Sequence, residues 1–211
     1  MKIGVLGTGM VGQAIASKLV GLGHEVMMGS RAADNPKATT WAQKAGSGGR
    51  AGTFAETAAF GEIVFNCTKG INSLAALTAA GIENLEGKIL VDIANVLPAA
   101  PAADSLGQRI QHAFPLTKVV KALNTINCDV MVNPQSLPGS HTVFLSGNHA
   151  DAKRTVRRLL ESFGWRDVLD LGDISTARAT EGHLPLWLAL SKALGTMSLN
   201  VSVVRDGMVS K

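Results

Sequence analysis

Three glycines at fixed spacing, in Gly7-Thr8-Gly9-Met10-Val11-Gly12, are the first residues in this chain whose arrangement suggests chemistry. A Gly-x-Gly-x-x-Gly string alone is weak, because glycine is common. Here an apolar run from Lys2 to Leu6 precedes it, and Val11, Ile15, Leu19 and Leu22 follow at helical spacing until Gly23. In such a strand, turn and helix, Gly7 permits the tight bend, Gly9 removes the Cβ that would block a phosphate, and Gly12 lets helix and strand pack closely. An anion there meets unpaired helix N–H groups and the positive end of the helix dipole. The pattern predicts a pyrophosphate loop, with Thr8, Met10 and Val11 between its glycines.

Selectivity for the adenosine end is read where the second strand stops, at Gly29-Ser30-Arg31. A protein choosing NAD places Asp or Glu there for the ribose 2′-hydroxyl. Ser30 can instead donate a hydrogen bond, Arg31 can pair with a 2′-phosphate through its planar fork, and Lys37 can add charge. The expectation is NADP(H); the alternative is that Arg31 is a solvated loop residue. Three further strand ends carry polar residues: Asn66-Cys67-Thr68-Lys69, Asp92-Ile93-Ala94-Asn95 and Asn124-Thr125-Ile126-Asn127. Of these, Cys67, Thr68, Lys69, Asn95, Asn124 and Thr125 are expected to flank ribose and nicotinamide, although Asn124 would serve equally well as a turn cap. Asp92 reads as structural. If a proton must be managed, His183 and His141 are the titratable candidates, with Asn124 as a weaker polar one.

These residues need elements to hold them. The pattern predicts strands at Lys2 to Leu6, Glu25 to Gly29, Ile63 to Cys67, Lys88 to Ile93, Lys118 to Leu123, Thr142 to Ser146 and Arg166 to Leu169. Helices are expected at Met10 to Leu22, Pro36 to Ala45 behind an Asp34 or Asn35 cap, Thr53 to Phe60 with a Thr53/Glu56 capping box, Asn72 to Ala80, Ser105 to Ala113 and Ala150 to Phe163. A linker runs from Pro98 to Asp104. Alternation of this kind implies an α/β, Rossmann-type, doubly wound and mainly parallel sheet. From Ser175 the expectation changes to one long helical run ending near Val204, which divides the chain into an NADP-binding domain, 1–174, and a C-terminal helical element, 175–211.

Composition narrows the class. Among 211 residues, 46% are apolar and 17% charged, without like-charge blocks, as in a compact globular protein. The net charge of +4 suits an anionic ligand, but the cations are scattered and there is no Tyr, so a stacking nucleic-acid surface is not expected. Cys67 and Cys128 form no metal-type pair and are expected to be reduced and buried. Pro185, Lys192, Gly195 and Asn200 interrupt the apolar stretch from Leu184 to Val204, which argues against a membrane span. No signal-peptide pattern is present, and a cytoplasmic location is expected. Leu184, Leu186, Leu188, Leu190, Leu194, Met197, Leu199 and Val203 are too apolar to leave bare, so this segment is expected to form a homodimer contact or a lid.

The phosphate loop, the Gly-Ser-Arg after the second strand, and Val119-Val120-Lys121-Ala122-Leu123-Asn124-Thr125 together resemble the coenzyme F420-dependent NADP oxidoreductase family over nearly the whole chain. The resemblance implies hydride transfer between the nicotinamide C4 and the C5 of a stacked deazaflavin, with the C-terminal helix over the substrate cleft. It implies that Thr8, Met10 and Val11 belong to the phosphate loop, Ser30 and Arg31 to the 2′-phosphate pocket, and Asn124-Thr125-Ile126 to a wall of the ring pocket. The chain departs from the family's archaeal members at Asn124 and Lys69. The same domain resembles the cytosolic reductase part of membrane ferric reductases, which use a flavin, so the acceptor stays open between deazaflavin and flavin. His183, Leu184, Pro185 and Trp187 are candidates to line the cleft, the alternative being core or dimer surface; other readings are a reductase of a small imine or hydroxy acid, and a non-catalytic NADP sensor.

Overall fold

A computed structural model describes residues 1–96 and 104–206. The linker expected at Pro98 to Asp104 lies almost wholly outside the described residues. Eight strands form one sheet in the order β3-β2-β1-β4-β5-β6-β7-β8. They are β1 (Lys2–Leu6), β2 (Glu25–Ser30), β3 (Gly49–Thr53), β4 (Ile63–Asn66), β5 (Ile89–Asp92), β6 (Lys118–Ala122), β7 (Thr142–Ser146) and β8 (Asp167–Asp170). Pairing is parallel except between β6 and β7, so the expected doubly wound, mainly parallel α/β sheet is the fold. Strand order reverses beside β1, between β2 and β4, and ligands of open α/β sheets sit beyond the strand ends at such a point.

Helices cover both faces. They are α1 (Met10–Gly21), α2 (Pro36–Ala45), α3 (Phe54–Phe60), α4 (Gly70–Ala80), α5 (Ile82–Leu85), α6 (Leu106–Ala113), α7 (Cys128–Val132), α8 (Ala150–Phe163), α9 (Ala177–Glu181) and α10 (Leu184–Leu194). Ile3, Val5, Ile15, Leu19, Trp41 and Val156 belong to the apolar cluster on one face of the sheet; Leu6, Val64, Leu77, Leu90 and Ile110 belong to the cluster on the other. Caps start these helices where their sequences provide them: Asn35 accepts from Lys37 and Ala38, and Thr53/Glu56 and Ser105/Gln108 are full capping boxes.

Several elements differ from the expectations. β3 was not anticipated, because Gly-Arg-Ala-Gly-Thr carries neither alternation nor a β-branched run. Packing explains its glycine: a Cβ on Gly49 would lie 2.5 Å from that of Ala45, so α2 can press on this edge only if the position is bare. α5 and α7 are one-turn helices too short for periodicity to reveal. The single C-terminal helix expected to reach Val204 is instead two helices, α9 and α10. Pro185 stands in the first turn of α10, and Gly195, left-handed at φ 66°, ends it. The chain beyond returns along β7, where the Thr142 N–H donates to the Val201 carbonyl at 2.9 Å.

Candidate functional site

The bend after β1 is built from backbone contacts. Gly7 has φ 116°, and its N–H donates to the Gly29 carbonyl at 2.9 Å. A Cβ there would sit 2.7 Å from the Cys67 carbonyl oxygen, and one on Gly12 would sit 2.1 Å from the Gly7 oxygen. Gly9 differs: a Cβ on it meets nothing within 4 Å. Two glycines are thus required by the protein itself, while the third leaves open space in front of α1. No side chain caps that helix, and no acidic residue stands in its first turn, so its N–H groups and dipole face the opening unneutralised. The loop fits a diphosphate.

At the end of β2, Ser30 is buried and donates from its hydroxyl to the Ala32 carbonyl at 2.6 Å. It shapes the turn, and its proton is committed there. Arg31 and Lys37 are exposed, and neither side chain has a partner among the described residues. Two free cations beside a turn without a carboxylate fit a phosphomonoester.

The remaining strand ends meet in one cleft of ≈ 430 Å³, bordered by Val11, Cys67, Thr68, Lys69, Asn95, Asn124 and Thr125, the polar residues singled out from sequence among them. Ile126, Met131, Leu184 and Trp187 form an apolar wall opposite. Asn95 and Asn124 brace each other across β5 and β6. The Asn95 amide donates to the Asn124 carbonyl at 2.6 Å, and the Asn124 amide donates to Asn95 Oδ1 at 3.0 Å. Leu123 just before is buried and left-handed at φ 61°, the sole non-glycine in that region among the described residues, so the turn presenting Asn124 is strained. Gly70 holds the other side, since a Cβ there would come within 2.4 Å of the Asn95 carbonyl.

Beneath the cleft lies a buried polar chain that sequence reasoning missed. Thr68 donates to Asn66 Oδ1 at 2.7 Å, and the Asn66 amide donates to Asp92 at 2.7 Å. Lys121, 1% exposed, pairs with Asp92 at 2.8 Å and Glu181 at 3.0 Å, and also donates to the Ala94 carbonyl. Glu181 in turn accepts from the Leu106 and Gly107 N–H groups at the start of α6, at 2.7 and 2.9 Å. The one available signal was a lysine inside an apolar strand, which needs an acid partner. Asp92 is structural, as expected.

The titratable candidates are arranged differently from the expectation. His141 lies off the cleft: its Nε2 donates to the Pro134 carbonyl at 2.8 Å, and its Nδ1 accepts from Asn200 at 2.9 Å, so both ring nitrogens are occupied in holding the turn before β7. His183 is half-buried behind Leu184 and does not border the cleft; burial pushes its pKa down, which keeps it neutral near pH 7. Cys67 and Cys128 are free and half-buried rather than buried. Burial, and then the nearby Asp92 charge, raise the Cys67 thiol far above its usual range, so it is no nucleophile. Among the described residues no three His, Cys, Asp or Glu gather as a metal site, and no helix is long and apolar enough to cross a membrane.

A family model described as NADP oxidoreductase, coenzyme F420-dependent, matches residues 2–96. A crystal structure of a candidate F420-dependent NADP reductase from Arthrobacter sp. FB24 is 49% identical, covers 97% of this chain and 100% of its own, and superposes with a TM-score of 0.92. The F420-dependent NADP reductase of Methanothermobacter marburgensis is 26% identical over 211 residues, covering 90% of this chain and 92% of its own. The metalloreductase STEAP3 of Rattus norvegicus is 32% identical over 207 residues. That match takes in 93% of this chain but 38% of STEAP3, so the chain spans well under half of that relative.

Proposed function

This chain belongs to the coenzyme F420-dependent NADP oxidoreductase family, and from that premise we propose that it moves a hydride between NADP(H) and a deazaflavin, coenzyme F420, or a flavin lying in the cleft. The observation carrying this reading is the cleft itself, which runs from the polar strand ends beyond the glycine loop to an apolar wall under α10. When bound, NADPH would give a hydride from its nicotinamide C4, or NADP⁺ would take one there in the reverse direction. Gly7, Thr8, Gly9, Met10, Val11 and Gly12 hold the pyrophosphate on the bare start of α1. Arg31 and Lys37 hold the 2′-phosphate in the turn that Ser30 shapes. Thr68, Lys69, Asn95, Asn124 and Thr125, with Cys67 behind them, flank ribose and nicotinamide.

Hydride transfer between stacked rings needs proximity and exclusion of water more than a proton donor. The cleft matches that requirement, because among the described residues Lys69 and the unreactive Cys67 are the only titratable side chains bordering it. STEAP3, similar along most of this chain, is named a metalloreductase, which keeps flavin and ferric chelates among the acceptors to be tried. The test is a panel: NADPH or NADH with coenzyme F420, FMN, FAD and ferric chelates, followed by absorbance. NADPH oxidation with F420 or a flavin is expected; tight NADPH binding without turnover in any well would instead favour a sensor. The same reading puts the protein in the cytoplasm, to be checked by cell fractionation. It also makes the chain a homodimer through the exposed leucines of α10, and a monomeric mass by light scattering at micromolar protein would overturn that part.

A further inference from the structure

α10 is held to the body of the protein by little. Trp187 is its one buried residue, 8% exposed, while Leu186, Leu188 and Leu194 are open to solvent. The indole Nε1 of Trp187 is hidden from water and has no hydrogen-bond partner. His183, one turn earlier on the same helix face, has its Nε2 in the same state. Asn66, Asp92, Lys121 and Asn124, buried around the cleft floor, are by contrast all paired. Buried polar atoms without partners are rare in folded proteins and costly, so two of them one turn apart need an explanation. Trp187 borders the cleft beside Leu184, Ile126 and Met131, which are apolar surfaces suited to the face of a planar ring.

We propose that Trp187 is a specificity-determining residue for the second substrate: its indole N–H donates a hydrogen bond to a carbonyl oxygen on the pyrimidinedione edge of the deazaflavin or flavin. This rests on the reading that such a ring enters the cleft. Because Nε1 is closed to water before binding, the first turns of α10 shift as the ring enters, with Trp187 as the one residue of the helix buried within its own protomer. His183, neutral through burial, adds no charge that would select for an anionic edge.

The test titrates the NADP⁺-loaded protein, which cannot turn over, with coenzyme F420 and with FMN by calorimetry. Trp187→Phe keeps the apolar wall and removes the N–H; acceptor affinity is expected to fall about tenfold, the effect of one buried hydrogen bond, with NADPH affinity unchanged. As a measurement that needs no variant, FMN is compared with its 2-thio and 4-thio analogues, whose sulfur accepts poorly. Weaker wild-type binding of one analogue supports the inference, and so does loss of that preference in Trp187→Phe. If Trp187→Phe binds FMN and F420 as wild type does, or if neither thio analogue binds more weakly to wild type, the inference falls and the reading of the cleft survives. Wild-type protein that binds neither ring overturns both.

Discussion

The two ends of the cleft are built on opposite principles. At the glycine loop the geometry is mostly local: Gly7, Gly12 and Gly29 lie within one strand-helix-strand unit, the Gly7 N–H donates to the Gly29 carbonyl, and a Cβ on Gly12 would strike the Gly7 oxygen, while the neighbouring strand end adds the Cys67 carbonyl against Gly7. At α10 it is remote. The helix follows α9, whose Glu181 reaches Lys121 on β6 and the start of α6, about 60 to 75 residues back along the chain. A site for the invariant part of a ligand can rest on rigid local backbone, whereas the end that accommodates a second substrate hangs from one side-chain tie and one buried indole.

Removing the tie should have the largest effect. Lys121→Met leaves the buried Asp92 and the part-buried Glu181 without their cation, and loss of about 3–5 kcal/mol of stability is expected from chemical denaturation. Were stability to change by less than about 1 kcal/mol, the remote end would not depend on this pair. At the loop, Gly12→Ala forces a Cβ against the Gly7 carbonyl and should cost about 1–3 kcal/mol or more, together with NADPH binding. Gly9→Ala is the sharper probe. Its Cβ meets no protein atom, so stability should stay within about 0.5 kcal/mol while NADPH affinity drops by roughly tenfold or more. Equal NADPH affinity in Gly9→Ala would mean that no phosphate approaches that open space.

Smaller effects separate charge from scaffold. Arg31→Ala should lower the preference for NADPH over NADH by roughly tenfold, with the melting temperature unchanged, since Arg31 has no partner among the described residues. An unaltered preference would leave Lys37 alone to read the phosphate. The smallest is a pH effect at the α10 end. Burial lowers the His183 pKa in the folded state, so its contribution to stability is present above the ordinary value of 6.5 and is lost as the pH falls through the folded-state value. His183→Asn should flatten stability against pH in that acidic window, and an identical profile would remove His183 from the account.

Wherever a residue's role is set by its near neighbours, it was legible in the order of amino acids. The glycine spacing, the cap at Asn35 or its neighbour Asp34, the Thr53 cap, and the polar residues closing β4, β5 and the turn after β6 announced a dinucleotide fold and most of the cleft's rim, because turns, caps and strand ends obey short-range rules. What depends on contacts between distant segments was not legible. β3 exists because β2 and α2 accept a glycine-bearing edge, His141 is occupied by Pro134 and Asn200, and Lys121 finds Asp92 and Glu181 only once β5, β6 and α9 converge. A buried charge or an unpaired indole has meaning through what surrounds it, and packing, not periodicity, supplies those surroundings.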